Sequence, residues 1–341
     1  MQDLERLQST IDDIVQEGRG ILAADESAAT IAKRFQAIGV EATEENRRAY
    51  RSLLLTTPGL GDYISGVILF EETLTQRTDA GARLPLVAWD NKIVPGIKVD
   101  KGKIPLALSS GDSITEGLDG LAIRLRAYRE QGARFAKWRE VYSITDWSPS
   151  RLGIKANADV LARYASVCQE EGFVPIVEPE VLMDGGHDIE RCAEVTEAVL
   201  HSVFHALHRH RVSLEHMLLK PNMVIPGADQ PKAMPADIAI ATITVLRRTV
   251  PAAVPSINFL SGGQEPEEAT ANLNALNQLA QRAPWKLSIS YGRALQQPAL
   301  RAWLGQAQNV DLAQTVLLKR ARLNSLAMRG RYSPEMETQA T

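Results

Sequence analysis

The sequence predicts an α/β protein that folds as a single-domain (β/α)₈ TIM barrel over residues 1–341. Short apolar runs, of the kind found in strands buried on both faces, alternate with longer segments whose apolar residues recur at helical spacing. About eight such units occupy roughly 300 residues, which suits a closed barrel better than an open doubly wound sheet. An open sheet would more naturally carry a G-x-G-x-x-G turn, and the sequence contains none. The predicted strands begin near residues 19, 65, 95, 135, 174, 216, 256 and 286.

Helices are predicted between these strands from periodicity and from their end signals. Leu4, Leu7 and Ile11 recur at helical spacing in the first segment, which Gly18 closes. Thr43 precedes two glutamates, and a hydroxyl followed by acids is typical of a helix start. The polar tail from about residue 330 is expected to be loose. Further helices are predicted over 30–38, 43–55, 112–131, 157–171, 188–210, 235–249, 265–281, 297–303 and 311–328.

Composition and charge argue against several classes of protein. The net charge is −3 and the pI is about 6.1, so we expect no nucleic-acid partner. Cys168 and Cys192 form no CxxC motif, which fits a reducing compartment. Residues 1–18 lack the apolar core of a signal peptide, and no apolar run approaches the ~20 residues of a membrane span. We therefore expect a cytoplasmic protein with no membrane partner.

Most predicted strands end in a residue that can take part in chemistry. In a barrel all strand C-termini open on one face, where catalytic residues gather, so these side chains are predicted to share one cleft. Several charged side chains at one mouth are costly to stability and hard to explain without a function. For any single residue, a solvated position in a loop remains the alternative. The strand-end residues are Asp25, Lys98, Lys137, Glu178, Lys220, Ser261 and Arg293.

The mixture of charges points to Schiff-base chemistry. Lys220 directly follows a buried apolar run, and Lys137 is predicted to face it across the pore, so that each cation disfavours the charge of the other. One amine would then be uncharged and able to attack a ketone. The iminium that forms withdraws electrons, and an adjacent carbon–carbon bond can break if a base removes a β-hydroxyl proton. Asp25 and Glu178 supply carboxylates for these proton transfers.

Two groups of residues are predicted to bind phosphate. Ser261 and Gly262 follow the seventh strand and Arg293 follows the eighth, and loops at these two places form the usual phosphate site of this fold. Lys98 and Arg139 are cations further around the rim and would suit the second phosphate of a sugar bisphosphate. Metal chemistry is not indicated, since there is no HExxH and four histidines lie in one predicted helix, and we expect no cofactor.

Segments in nearly the whole chain, from about residue 18 to 332, resemble the class I fructose-1,6-bisphosphate aldolases. The resemblance implies a barrel, a metal-independent Schiff-base mechanism, a sugar bisphosphate substrate and a homotetramer. The matching segments are GRGILAADES, EENRRAYRSLLL, SGVILFEETL, GIKVDKG, ARFAKWR, LARYAS, VPIVEPE, LLKPNMV, TVLRRTVP, FLSGGQ and SYGRAL.

The resemblance also implies a role for each matching position. Lys220 is similar to the Schiff-base lysine, Glu178 to the acid/base that dehydrates the carbinolamine, and Asp25 to the group that takes the C4-hydroxyl proton. Lys137 resembles the charge-stabilising lysine and Arg139 a phosphate-side arginine. Ser261, Gly262 and Arg293 resemble the site for the C1 phosphate, and Ser27, Thr30 and Lys98 the site for the other phosphate.

The sequence departs from the family pattern in two places. Ala28-Ala29-Thr30 stands where many members have Thr-Gly-Ser, and the loss of glycine is expected to stiffen the loop. Familiar animal and plant members end in a tyrosine that helps to protonate the enamine, whereas the last tyrosine here is Tyr332. We therefore expect the carbanion-exchange step to depend on another group or on water.

The predicted reaction is the reversible cleavage of fructose 1,6-bisphosphate to dihydroxyacetone phosphate and glyceraldehyde 3-phosphate, in glycolysis and gluconeogenesis. The alternatives are another Schiff-base barrel, such as a transaldolase-like or deoxysugar-phosphate lyase, and a degenerate barrel that serves as a binding scaffold. Cations at both ends of the cleft favour a bisphosphate over the first alternative. A degenerate scaffold would be expected to have lost Lys220, Glu178 or Asp25, and all three are present.

Overall fold

The structure, a computed structural model, describes residues 2–338 and confirms the predicted closed barrel. Eight parallel strands close in the order β1, β2, β3, β6, β7, β8, β9 and β10, and β4 and β5 form a separate antiparallel hairpin. The strands are β1 Gly20–Ala24, β2 Ile64–Leu69, β3 Val94–Lys98, β4 Lys103–Pro105, β5 Ser113–Thr115, β6 Phe135–Tyr142, β7 Val174–Val181, β8 Leu218–Leu219, β9 Ser256–Phe259 and β10 Lys286–Tyr291.

The helices surround the barrel, and several begin at the polar residues that the sequence indicates. Thr43 accepts a hydrogen bond from the Asn46 backbone N–H at 3.1 Å, and Asp188 accepts one from that of Arg191 at 2.7 Å. The helices are α1 Gln2–Ile14, α2 Ala28–Gln36, α3 Glu44–Leu55, α4 Leu84–Asp90, α5 Leu121–Glu130, α6 Arg151–Glu170, α7 Ile189–Arg209, α8 Pro235–Thr249, α9 Pro266–Leu279, α10 Arg293–Trp303 and α11 Val310–Met328.

Three helix predictions need correction, and one helix was not predicted. The segment 112–131 is not one helix, because glycines at 117 and 120 adopt positive φ angles and separate β5 from α5. Helix α6 begins at residue 151 because Ser150 caps it by accepting a hydrogen bond from the Gly153 N–H at 3.0 Å. Helix α10 begins at Arg293 instead of 297, and the short helix α4 was not predicted.

The interior of the barrel divides into an apolar lower part and a polar upper part. Phe135, Val174 and Leu218 fill the lower part, and Leu7 and Ile11 of α1 pack against this cluster. A larger apolar core lies between the strands and the outer helices. The charged strand ends lie at the opposite, C-terminal end of the barrel, where the fold leaves a cleft.

The first part of the C-terminal tail is docked, which differs from the loose tail expected from the sequence. Tyr332 is buried, and its hydroxyl donates a hydrogen bond to Glu337 at 2.9 Å. The buried Arg320 of α11 forms an ion pair with Glu337 at 2.6 Å. A polar segment can therefore be ordered when its carboxylate meets a buried guanidinium. Residues 339–341 lie outside the described residues.

Two further observations concern cysteines and membranes. Cys168 and Cys192 are both buried and unpaired. Within residues 2–338, every helix is either too short or too polar to cross a bilayer.

The packing of β3 against β6 gives a direct test of the barrel interior. A Cβ on Gly96 would lie 2.3 Å from Phe135 Cε2, whereas a Cβ on Gly66 would lie 3.4 Å from the same ring. We expect Gly96→Ala to lower the free energy of unfolding by about 2 kcal/mol through overpacking, and the matched Gly66→Ala to change it by much less. Urea denaturation measures both, and equal losses in the two variants would contradict this packing.

Candidate active site

The predicted site residues all line one cleft of about 1210 Å³ at the C-terminal ends of the barrel strands. Asp25 and Lys220 directly follow β1 and β8, and Lys98 is the last residue of β3. Lys137 and Glu178 are not at strand ends as the sequence predicted, because β6 and β7 continue beyond them to Tyr142 and Val181. The residues that the sequence singled out and the structure brings together are Asp25, Ser27, Thr30, Lys98, Lys137, Arg139, Glu178, Lys220, Ser261, Gly262 and Arg293.

Lys137 lies at the centre of the charged groups in the cleft. Its Nζ is 2.7 Å from Asp25 Oδ2, 3.2 Å from Glu178 Oε2 and 4.0 Å from Asp100 Oδ2. Burial alone would lower the pKa of Lys137, but the three carboxylates outweigh burial and raise it well above its ordinary value. The amine of Lys137 is therefore a fixed ammonium ion at neutral pH.

The contact with Lys137 lowers the pKa of Asp25. Burial would raise the pKa of Asp25, but the charges of Lys137, then of Lys220, outweigh it and hold the pKa well below its ordinary range. Asp25 is therefore ionised at neutral pH, with one carboxylate oxygen in contact with the Lys137 ammonium.

Lys220 follows the two-residue strand β8 and points into the same cluster. Its side chain is 5% exposed, and its Nζ is 3.1 Å from Glu178 Oε1. Its backbone N–H donates to the Val177 carbonyl at 2.8 Å, which continues the barrel ladder to this residue. Glu178 thus lies between the two lysines, with one oxygen directed to each.

The two lysines differ in the number of carboxylates that surround them. Lys137 has three carboxylates within 4.0 Å, whereas within the described residues Lys220 forms an ion pair with one, Glu178. The charges in the sequence predicted one uncharged amine, and the resemblance to the aldolase family assigned that role to Lys220. The geometry makes Lys137 the cation and Lys220 the candidate nucleophile.

One end of the cleft presents backbone and an exposed cation. Gly262 and Gly263 turn with φ angles of +37° and +83°, and a Cβ on Gly263 would lie 1.9 Å from Met183 Sδ. Ser261 is buried beside this turn, and its carbonyl accepts the Gln264 N–H at 2.8 Å. Arg293 is exposed on the first turn of α10, and no carboxylate within residues 2–338 forms an ion pair with it.

The other end presents cations that already have carboxylate partners. Arg139 Nε lies 2.5 Å from Glu180, and Lys98 Nζ lies 2.5 Å from Asp100. Ser27 caps helix α2, with its Oγ 3.1 Å from Thr30 Oγ1. A phosphate at this end would share these cations with the carboxylates.

The sequence interpretation gave no definite role to three acids that the structure places beside the site. Asp100 is two residues beyond Lys98, and Glu180 is two residues beyond Glu178. Side chains two residues apart on extended backbone face the same way, and this alternation would have placed Asp100 beside Lys98 and Glu180 beside Glu178. Glu26 is buried against Arg51 at 2.6 Å and Gln296 at 2.8 Å, and nothing in the sequence indicates those distant partners.

The arrangement of metal-ligating side chains and the position of Tyr332 also bear on the chemistry of the cleft. Within the described residues no group of three or more His, Cys, Asp or Glu side chains is arranged to hold a metal ion. His201, His205 and His208 are exposed on α7, as the sequence predicted. Tyr332 donates its hydroxyl to Glu337 and is not among the residues that line the cleft.

Comparison with known proteins identifies close relatives over the whole chain. A sequence model of the family described as fructose-bisphosphate aldolase class-I matches residues 6–341. The chain is 58% identical to cytosolic fructose-bisphosphate aldolase 4 of Arabidopsis thaliana, over 94% of this chain and 82% of that protein. It is 54% identical to fructose-bisphosphate aldolase B of Gallus gallus, over 96% of this chain and 91% of that protein. The solved fructose-bisphosphate aldolase of Plasmodium falciparum superposes with a TM-score of 0.96 at 51% identity, covering 97% of this chain and 96% of that one.

The ion-pair cluster predicts how stability depends on Lys137. We expect Lys137→Met to lower the free energy of unfolding by about 3 kcal/mol at pH 7, because buried carboxylates lose their counter-charge. The matched control Lys232→Met removes an exposed lysine from its pair with Glu268 and should change stability by less than about 0.5 kcal/mol.

The pH dependence of the stability loss caused by Lys137→Met follows from the direction of each pKa shift. Asp25 has a lowered pKa, so its contribution is present above the ordinary value of 3.8 and is lost as the pH falls. Lys137 has a raised pKa, so its contribution is present below the ordinary value of 10.5 and is lost as the pH rises through the higher folded value. The loss caused by Lys137→Met should therefore be constant between about pH 5 and pH 9 and shrink below about pH 4. A loss that grows on acidification, measured by urea denaturation, would contradict the cluster.

Proposed function

The chain belongs to the class I fructose-bisphosphate aldolase family, and we propose that it catalyses aldol cleavage through a Schiff base on Lys220. The substrate would be fructose 1,6-bisphosphate, cleaved reversibly to dihydroxyacetone phosphate and glyceraldehyde 3-phosphate. The observation that carries the proposal is the position of the buried Lys220, 3.1 Å from Glu178, beside the fixed ammonium of Lys137. Lys137 is engaged by three carboxylates, so we assign the Schiff base to Lys220, which contacts Glu178.

In the first step the Lys220 amine adds to the C2 carbonyl of the substrate. As the carbinolamine forms, a proton passes from the nitrogen to the C2 oxygen. Glu178, which has accepted a proton from the Lys220 ammonium, then returns it to the carbinolamine hydroxyl, which leaves as water while the nitrogen lone pair forms the iminium bond. Glu178 is suited to this role because one of its oxygens already contacts the Lys220 amine. Its other oxygen contacts Lys137, which steadies the carboxylate each time it gives up the proton.

In the second step Asp25 accepts the proton of the C4 hydroxyl while the C3–C4 bond breaks. The bonding electrons flow into the iminium group and leave an enamine on Lys220, and glyceraldehyde 3-phosphate departs. A carboxylate with a strongly lowered pKa is a weak base, so this proton transfer accompanies bond cleavage instead of preceding it. Protonation of the enamine at C3 and hydrolysis of the imine then release dihydroxyacetone phosphate.

The two ends of the cleft are suited to the two phosphates. Ser261, Gly262 and Arg293 offer an exposed guanidinium and a glycine turn for the C1 phosphate. Lys98 and Arg139, with Ser27 and Thr30 at the start of α2, would bind the second phosphate. The iminium is itself the electron sink, so the proposed mechanism needs no metal ion or other cofactor.

Assembly and cellular location are proposed by analogy with relatives. We propose a homotetramer of single-domain barrels, each formed by residues 1–341, because the class I family is of this kind. A cytoplasmic location is supported by relatives that are named cytosolic. Light scattering after size-exclusion chromatography would measure the assembly.

Covalent trapping tests the central assignment. Borohydride reduction in the presence of dihydroxyacetone phosphate should leave a stable adduct on the peptide that contains Lys220, and Lys220→Met should give none, because only this amine forms the imine. Peptide mass mapping locates the adduct, and prior treatment with EDTA should not change its yield. An adduct on a peptide without Lys220 would refute the assignment.

A pair of isosteric variants tests the division of labour between the two carboxylates. Glu178→Gln should slow formation of the borohydride-trapped adduct with dihydroxyacetone phosphate, because it removes the acid that expels water. Asp25→Asn should form that adduct at nearly the wild-type rate, yet lower kcat for cleavage about 10²- to 10⁴-fold, because the C4 proton loses its acceptor.

Single-turnover trapping and steady-state assays separate these two steps. Thermal unfolding of each variant checks that the barrel remains folded. If the two variants trapped dihydroxyacetone phosphate equally slowly, the separate roles proposed for Glu178 and Asp25 would be wrong.

A further inference from the structure

Glu140 is a buried carboxyl group that the proposed mechanism does not use. It lies on β6 directly after Arg139, and side-chain alternation directs it away from the cleft that Lys137 and Arg139 line. It is 1% exposed. Its Oε1 accepts a hydrogen bond from the indole Nε1–H of Trp138 at 2.9 Å, and its Oε2 accepts one from the backbone N–H of Thr115 at 3.1 Å.

These contacts join β6 to the β4–β5 hairpin, which forms part of the cleft wall. Thr115 is the last residue of β5, and its hydroxyl donates to the Arg139 carbonyl at 2.9 Å. Across the hairpin it is paired with Lys103. Lys101, Lys103 and Thr115 all line the cleft on the side where Arg139 lies. A three-residue strand outside the barrel has few ladder bonds of its own, so side-chain contacts contribute much of its attachment.

The surroundings of Glu140 favour a carboxyl group that titrates near neutrality. Burial raises its pKa to about 7, against the hydrogen bonds from Trp138 and Thr115, and the charge of Asp100 adds to the rise. Asp100 lies on the segment after β3 and forms an ion pair with Lys98.

The remaining charged and titratable groups around Glu140 come from three elements. Tyr142 lies two residues further along β6, and the charge of Glu140 contributes to its raised pKa. Tyr164 of α6 lies against Trp138, with ring centroids 5.5 Å apart. Arg124 of α5 donates to the carbonyls of Val99 and Gly117. The Glu140 carboxylate is held by its two hydrogen bonds, from Trp138 and from Thr115.

We propose that Glu140 is a positioning residue for the aldolase reaction, whose carboxylate holds the β4–β5 hairpin and Arg139 in place for the phosphate at that end of the cleft. When ionised, it accepts both hydrogen bonds with full charge assistance. When protonated, one oxygen carries a hydrogen and accepts poorly, so the hairpin is held less firmly. Affinity for the bisphosphate therefore falls as Glu140 becomes protonated, while bond cleavage itself is unaffected. This inference rests on the proposed function, because it assigns the Arg139 end to a substrate phosphate.

The experiment combines a spectroscopic signal with steady-state kinetics. Labelling with 5-fluorotryptophan gives resonances from five tryptophans, and Trp138→Phe assigns one of them. The Trp138 resonance of the wild type should shift with a midpoint near pH 7, the pKa of its hydrogen-bond partner Glu140, and should not shift in Glu140→Gln. This signal does not depend on the Schiff-base mechanism, whose failure the borohydride experiment detects separately.

The kinetic arm compares two substrates. Glutamine resembles the protonated acid, so at about pH 8 the KM of Glu140→Gln for fructose 1,6-bisphosphate should exceed that of the wild type about fivefold, with kcat unchanged. At about pH 6 the two KM values should coincide, because wild-type Glu140 is then protonated. Comparing variant with wild type at each pH cancels the titration of the substrate phosphates. Fructose 1-phosphate lacks the second phosphate, and its KM should be equal in both proteins at both pH values.

A control variant and three outcomes that overturn the proposal complete the design. Glu116→Gln removes an exposed carboxylate next to the same hairpin and should leave both KM profiles unchanged. A Trp138 resonance that does not titrate in the wild type overturns the proposal, even if Glu140→Gln fails to fold. Titration of the resonance without a change in the KM ratio for the bisphosphate limits Glu140 to a structural role and also overturns it. An equal increase in the KM of Glu140→Gln for fructose 1-phosphate would likewise overturn the proposal.

Discussion

The contact of the Lys137 ammonium with three buried carboxylates is the interaction on which the cleft depends. Asp25, Glu178 and Asp100 all lie within 4.0 Å of this ammonium, and burying carboxyl groups so close together is costly without a counter-charge. With it, Asp25 and Lys137 both have pKa values shifted towards their charged forms. The cluster therefore holds Lys137 as a cation, and in our proposal Lys220, which contacts Glu178, is the amine that reacts.

The barrel produces this arrangement through register. Strands β6, β7 and β8 are consecutive, and Glu178 on the middle strand contacts a lysine from each side. Residues two apart on a strand face the same way, so Arg139 follows Lys137 into the cleft and Glu180 follows Glu178. A second ion pair, Arg139 with Glu180, consequently lies one step further out along the same two strands. The two ion pairs, Lys137 with Glu178 and Arg139 with Glu180, are thus built on two neighbouring strands, which limits their relative movement.

Much of the fold and most of the site could be predicted because both follow from local patterns. Apolar runs locate the strands, and the residue after each run must lie at the mouth of a barrel, which is how Asp25, Lys137, Glu178 and Lys220 were found. What was missed depends on contacts that are distant in sequence. The β4–β5 hairpin has only three residues in each strand and no periodicity to reveal it. Glu140 becomes notable only when Thr115 and Trp138 are known to contact it, and the tail is ordered only because Arg320 meets Glu337.

The two ends of the cleft differ in what a phosphate must displace, and this difference bears on selectivity. Arg293 is exposed and has no carboxylate partner within the described residues, so a phosphate there gains a charge-assisted contact without breaking an ion pair. Arg139 and Lys98 are already held by Glu180 and Asp100, so binding at their end exchanges one set of charge pairs for another. The net gain at that end is therefore small and sensitive to geometry. A contact that holds Arg139 and the adjoining hairpin in position, such as that of Glu140, then has more influence on the second phosphate than on the first.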